Sequence, residues 1–148
     1  MTHAREQIRD ALITVLNGLT ETGSNVAASR IYSVTEASLP HLSIYTLEEE
    51  LDADRGMMGD KEYRNLEIII EARAKLTAAL DDQLDQIALE VELAITADDT
   101  LGIGVKSTEL QRTEIELDKD SDQPTGLMRM IWNVAYRIDR TNPELLIP

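Results

Sequence analysis

The feature that most constrains this sequence is a two-residue alternation near its C-terminal end. From Met128 to Ile138 every second residue is apolar, and the positions between them include Arg129, Asn133 and Arg137. A β-strand points successive side chains to opposite faces, so this pattern predicts a strand with one buried face.

The preceding segment predicts the partner of this strand. Leu110–Leu117 also alternates, and the polar segment Asp118–Gly126, which contains Pro124, separates the two runs. Two alternating runs joined by a polar turn predict a β-hairpin.

Two further strands are expected earlier in the chain. Tyr63–Arg73 alternates with period two, and Leu42–Leu47 is a short apolar run. Proline cannot donate a hydrogen bond to a neighbouring strand, so Pro40 is expected at the start of the latter strand or at a sheet edge.

Apolar residues three and four apart predict two amphipathic helices. The first spans His3–Leu19 and gives way to the turn-rich segment 20–24. The second spans Thr77–Ala97, and on it Leu89 and Leu93 form an additional apolar row beside the main one. That row is interpreted as part of a wide buried face, or alternatively as a contact with another subunit.

The order helix, strand, strand, helix, strand, strand predicts an α+β fold. We expect a mostly antiparallel sheet of four to five strands with both amphipathic helices packed on one face, and a polar second face. In an assembly that second face could line a channel. Residues 1–140 are predicted to form a single domain and residues 141–148 a C-terminal tail.

The segment between the second and third of these elements is strongly polar. Glu48–Glu62 holds seven acidic and two basic residues, and Met57 and Met58 stand between Gly56 and Gly59. This composition predicts a long flexible loop or a hairpin tip. Methionines in such a loop adapt well to a partner surface. The alternative is an ordinary mobile loop, which would have the same composition. Upstream, Ala27–Val34 is a short apolar stretch.

The charge of the chain excludes several functions. The 148 residues include 28 acidic and 14 basic ones, for a net charge of −14. DNA and RNA binding require a basic surface, and anionic membranes repel an acidic one, so neither is expected. The apolar content is 43%, so acidity does not predict disorder.

Cysteine and targeting signals are also absent from the sequence. There is no Cys, which excludes disulfides, thiolate catalysis and Cys-based zinc sites and suits a reducing cytoplasm. The first residues are polar, and no run approaches 18 apolar residues, so we expect neither a signal peptide nor a membrane span.

No catalytic signature is complete, and a non-enzymatic protein is expected. His3 and His41 are the two histidines, and His41 beside Pro40 is expected to be structural or surface-exposed. Gly102-Ile103-Gly104 begins like a dinucleotide-binding fingerprint, but Ser107 stands where the third glycine belongs. Lys106-Ser107 resembles the end of a phosphate-binding loop, but Val105 replaces its glycine. We therefore expect no cofactor.

One acidic series has the spacing of a calcium-binding loop. Asp118, Asp120 and Asp122 occupy positions one, three and five, but Gln123 replaces the glycine that the sharp turn needs and Arg129 the bidentate glutamate. A solvated turn is expected here, with calcium binding as the alternative.

The arrangement of elements resembles a known family. The first helix, the strand after Leu39-Pro40, the acidic segment Glu48–Asp52, the strand Leu66–Ala72, the second helix and the hairpin Arg112–Ile138 resemble the tail terminator proteins of long-tailed bacteriophages, in particular the group of the lambda minor tail protein U. The resemblance extends over nearly the whole chain, as an order of elements without an invariant motif.

This resemblance implies a virion protein assembled in the host cytoplasm and located at the head-proximal end of the tail. It implies a ring, six subunits in that family, that caps the tube of the major tail protein, stops its polymerisation and offers a surface for head joining. DNA would pass through the ring without specific binding. The alternatives are a head-tail connector or tail-completion protein of the neck, a small acidic protein-binding adaptor, and a carboxylate- and metal-dependent hydrolase.

Overall fold

The computed structural model describes residues 2–28, 39–52, 57–118 and 124–148. These residues form two helices and one seven-stranded sheet. In chain order the elements are α1 (Ala4–Leu16), β1 (Val26–Ala27), β2 (His41–Leu51), β3 (Met57–Met58), β4 (Lys61–Lys75), α2 (Leu80–Thr96), β5 (Ser107–Asp118), β6 (Thr125–Asp139) and β7 (Asn142–Leu146).

The sheet confirms the predicted α+β class. Its main path runs β1-β2-β4-β6-β5, with β3 paired to β4 and β7 paired to β6. All pairings are antiparallel except β1 with β2, which is parallel. The four strands predicted individually are β2, β4, β5 and β6, and the short strands β1, β3 and β7 are additional.

Both helices pack on the same face of the sheet, as predicted. Alternate residues of the central strands, including Ile68 on β4 and Trp132 on β6, share one core with Leu12 of α1 and Leu84 of α2. The contact is close at Gly126, where an added Cβ would lie 2.4 Å from a methyl carbon of Leu80. A larger residue at position 126 would therefore displace the start of α2.

The helices are shorter than the periodicity predicts because local groups terminate them. The first begins at Ala4, where the His3 side chain accepts a hydrogen bond from the Arg5 N–H at 3.1 Å, and it ends before Gly18, whose φ is +89°. The second begins at Leu80, because its backbone N–H bonds to the Thr77 carbonyl in a preceding turn. Histidine is not among the residues preferred at an N-cap, so the sequence does not predict this role for His3.

The segment Glu48–Glu62 was predicted to be a loop, but both of its ends belong to strands. Residues Glu48–Leu51 continue β2 and pair with β4, which itself begins at Lys61. The alternative interpretation, a hairpin, is the correct one, since β2 and β4 are antiparallel neighbours. Met57 and Met58 pair with Glu62 and Lys61 as the short strand β3.

The segment expected as a C-terminal tail also contains a strand. Residues Asn142–Leu146 form β7, in which Leu146 pairs with Ile138 of β6. Parts of three predicted segments lie outside the described residues: the apolar stretch after position 28, the hairpin tip at 53–56 and the turn at 119–123.

Candidate interaction surface

The sheet face that does not carry α1 and α2, here called the second face, is the main candidate surface. The register places every second residue of β4 and β6 on it, with Ile69 opposite Ile131 and Glu71 opposite Arg129. This face was expected to be polar, but Ile69, Ile131 and Leu127 on it are buried. Glu71 and Arg129 form the cross-strand pair next to Ile69 and Ile131, and the stems of long charged side chains can cover apolar surface of this kind.

One half of the second face has balanced charge. The buried carboxylate of Glu71 accepts from the Tyr45 hydroxyl at 2.7 Å and lies 3.1 Å from Arg73 and 3.4 Å from Arg129. Arg129 also pairs with Glu116 at 2.6 Å. Burial raises the pKa of the Tyr45 hydroxyl, and the hydrogen bond to Glu71 raises it further. This half is a structural ion-pair network.

The other half of the face holds a row of acidic and amide side chains. Four glutamates and two asparagines form a row across the four long strands, here called the acidic stripe: Glu48 and Glu50 on β2, Asn65 and Glu67 on β4, Asn133 on β6 and Glu109 on β5. The Asn133 amide donates to the Asn65 side-chain oxygen at 3.3 Å. Five of the six residues line a shallow depression of about 140 Å³.

The acidic stripe has an electrostatic cost in the isolated chain. Glu48 and Glu67 are directly opposite each other in the register of β2 and β4, and like charges in that position are destabilising. Within the described part of the chain, no Lys or Arg forms an ion pair with the four glutamates of the stripe. The stripe therefore concentrates uncompensated negative charge on one surface.

A separate polar cluster lies under α1, on the core side of the sheet. Glu49 accepts a short hydrogen bond from the Tyr136 hydroxyl and pairs with Arg64 at 3.0 Å and with Arg5 of α1 at 2.9 Å. Arg64 also pairs with Glu62 at 2.7 Å. Burial, followed by the bond to Glu49, raises the pKa of Tyr136 far above its ordinary value. These contacts join α1 to β2, β4 and β6.

The structure places each predicted candidate residue that it describes in a separate environment. His3 caps α1, and His41 is buried on β2, with its Nδ1 3.4 Å from the Ser43 hydroxyl oxygen. Burial, then the charge of Arg73, lowers the pKa of His41. The segment Gly102–Gly104 leads into strand β5 instead of a helix, as the incomplete fingerprint indicated.

The calcium-binding loop considered above includes residues that the structure does not describe. Asp120 and Asp122 lie within 119–123, and the side chain of Asp118 is not described either. Among the residues that are described, no group of three His, Asp or Glu side chains is arranged to hold a metal ion. The hypothesis that Met57 and Met58 adapt to a partner surface likewise concerns side chains that the structure does not describe.

The acidic stripe itself was missed at the sequence level. Its members come from four strands, and Glu48 and Glu50 belong to a part of β2 that was assigned to a loop. Only the strand register brings them together. The available signal was the alternation of Glu67 and Asn65 with apolar residues on β4, which already placed them on the polar face.

The helices give no indication of a membrane span. In the described chain, neither helix is both long enough and apolar enough to cross a bilayer.

Comparison with known proteins shows the fold. No protein-family model matches the sequence, and no curated protein is significantly similar to it. The structure is similar to that of a chain in the virion of a native gene transfer agent particle, with a TM-score of 0.52 and 13% sequence identity over 90% of both chains. At that identity the similarity establishes a shared architecture over nearly the whole length.

Proposed function

We propose that this chain is a non-enzymatic structural protein of a phage-like virion. The observation that carries the proposal is the similarity in fold, over 90% of both chains, to a component of a gene transfer agent virion.

Within that class we propose a tail terminator. The chain would form a closed ring, expected to be a hexamer, that caps the tube of the major tail protein, stops its growth and presents a surface to the head-completion protein. A cyclic ring needs two different complementary patches on each subunit. The support for this finer assignment is the order of elements that the sequence shares with the tail terminator family.

We further propose that the acidic stripe faces the hole of the ring. Glu48, Glu50 and Glu67 form no ion pair with a described Lys or Arg, and a ring of such subunits would repel the phosphates of passing DNA instead of holding them. The electrostatic cost of the stripe in one subunit would then have a functional reason.

The assembly experiment combines light scattering of the purified chain with negative-stain imaging, alone and with tube protein. A ring of about six subunits at tube ends, with tubes that no longer elongate, is the expected result. A chain that remains monomeric at high concentration and in the presence of tube protein would contradict the ring. Binding to a head connector without any effect on tubes would assign the chain to the neck instead.

The orientation of the stripe is tested on assembled rings. The triple variant Glu48→Lys, Glu50→Lys, Glu67→Lys should convert rings that do not retain short duplex DNA into rings that do, in a gel-shift titration at low salt. The matched control is Asp81→Lys, Asp82→Lys, Asp85→Lys on α2, which changes the charge equally on the opposite layer of the molecule. Equal retention by both variants would place the stripe outside the hole.

A further inference from the structure

A second unexplained surface lies on the solvent side of α2. The buried side of the helix consists of Leu80, Leu84, Ile87, Val91 and Ile95. Leu89 and Leu93 each follow a buried residue by two positions, about 200° around the helix axis, and therefore point away from the sheet. Their exposed fractions are 50% and 61%. They are the second apolar row of the sequence, and they are not part of the core.

The residues around these two leucines are acidic without compensation. Between positions 76 and 105 there is no Lys or Arg, and no described cation pairs with the carboxylates of α2. The last turn of the helix has no basic residue, and Asp98 and Asp99 follow its end. Negative charge at a helix C-terminus opposes the helix macrodipole. The isolated chain thus carries an electrostatic cost around an apolar row.

Both properties together define the chemistry of a partner. Leucines at i and i+4 form the ridge that packs into the groove of another helix. The surrounding carboxylates require that the partner helix bring Lys or Arg to the rim of the contact. A second copy of α2 does not satisfy this requirement, because residues 80–99 contain seven acidic and no basic residues. Two copies would repel each other.

We propose that the outward face of α2, centred on Leu89 and Leu93, docks a basic amphipathic helix of another protein. This inference goes beyond the proposed ring, because it assigns a binding partner to the helix layer instead of the sheet. The contact would bury the two leucines and neutralise the carboxylates Asp82, Asp85 and Glu92 around them.

The test uses a defined probe and the full chain. A labelled synthetic helix with leucine on one side and lysine at its flanks is titrated with the wild-type protein, and binding is followed by fluorescence anisotropy. A second peptide with glutamate in place of each lysine reports on charge. We expect measurable binding of the lysine peptide, weakening as salt is raised, and none of the glutamate peptide.

Two matched variants locate the contact. Leu89→Asn with Leu93→Asn should weaken binding of the lysine peptide by about tenfold or more. Ile115→Asn with Leu117→Asn removes two side chains of similar exposure, 51% and 49%, from strand β5 and should leave binding unchanged. Circular dichroism verifies that both variants are folded.

Several outcomes would overturn the proposal. They are absence of wild-type binding at millimolar peptide, equal weakening by both double variants, and insensitivity to salt. If the Leu89 and Leu93 variant instead changes the number of subunits in the wild-type assembly, the face belongs to a contact between copies and the proposed partner is wrong. Because the peptide assay does not depend on ring formation, its failure is distinguishable from failure of the proposed function.

Discussion

The Tyr136 hydroxyl donates a hydrogen bond to Glu49 across the sheet, from β6 to β2, at the point where α1 begins to cover it. Arg64, on the strand between them, pairs with the same carboxylate. This buried contact is the centre of the cluster that fixes α1 against the sheet, and its loss can be measured directly.

The first prediction is that Tyr136→Phe destabilises the fold by about 1–2 kcal/mol, because it removes a donor from a nearly buried carboxylate. Urea unfolding measures the change. Tyr45→Phe is the matched control, since the half-buried Tyr45 makes the equivalent bond to Glu71. Both carboxylates keep two arginine partners in the variants, so the comparison reports on the burial of the lost hydroxyl, which is greater at Tyr136. A loss for Tyr136→Phe no greater than for the control would contradict the central role of the contact.

The second prediction concerns alkaline pH. The pKa of Tyr136 is raised in the folded protein, chiefly by burial, so the unfolded chain loses this proton first, from about pH 10. The stability that Tyr136 contributes is therefore fully present below that pH and falls as pH rises above it, by up to about 1.4 kcal/mol per pH unit. Unfolding free energies measured between pH 8 and 11 should decline less steeply for Tyr136→Phe. Parallel curves for the two proteins would refute the assignment.

The third prediction tests the close approach of α2 to the sheet. Gly126→Ala introduces a Cβ into the space of the Leu80 side chain and should destabilise the protein by about 1–3 kcal/mol. In the double variant with Leu80→Ala, the clash is relieved. The combined loss should then be smaller than the sum of the single losses. Strict additivity in thermal or urea unfolding would show that the two residues do not compete for space.

The fourth prediction concerns the acidic stripe. Glu67→Gln removes the like-charge pair with Glu48 and should stabilise the free subunit by about 0.2–1 kcal/mol at low salt, with the gain shrinking as salt is added. The control Glu116→Gln removes a paired carboxylate, that of the Arg129 ion pair, and should not stabilise. A neutral or destabilising effect of Glu67→Gln would mean that the stripe carries no electrostatic cost.

Elements with a local pattern were predictable from the sequence, and elements that depend on distant contacts were not. The alternation around Trp132 and the helical spacing around Leu84 determine the fold class without tertiary information. The end of β2 does not have such a pattern, because Glu49 is held in the strand by Arg64 and Tyr136 from other strands. Likewise β7 is short, and one of its carbonyls, that of Glu144, accepts from Gln7 on α1.

The candidate surface follows the same distinction. The alternation around Leu66 predicts which residues of β4 face away from the core. It does not predict that Glu48 lies opposite Glu67, because the pairing of β2 with β4 shifts by one residue between Thr46 and Glu48. A register shift leaves no local signature in the sequence.

That shift, a bulge at Leu47, determines the two surfaces of the subunit together. Because of the one extra residue, Glu49 turns inward to Arg64 and Tyr136, while Glu48 and Glu50 turn outward. If Leu47 instead paired regularly opposite Glu67, these roles would be exchanged, with Glu48 and Glu50 under α1 and Glu49 outside. Deleting Leu47 would remove the bulge and keep the roles as they are, because Glu48 would then follow Thr46 in regular alternation. The anchoring of the helix and the charge of the opposite face are thus both set by one unpaired residue in this strand, and a regular pairing of the same residues would alter both without any change in amino-acid composition.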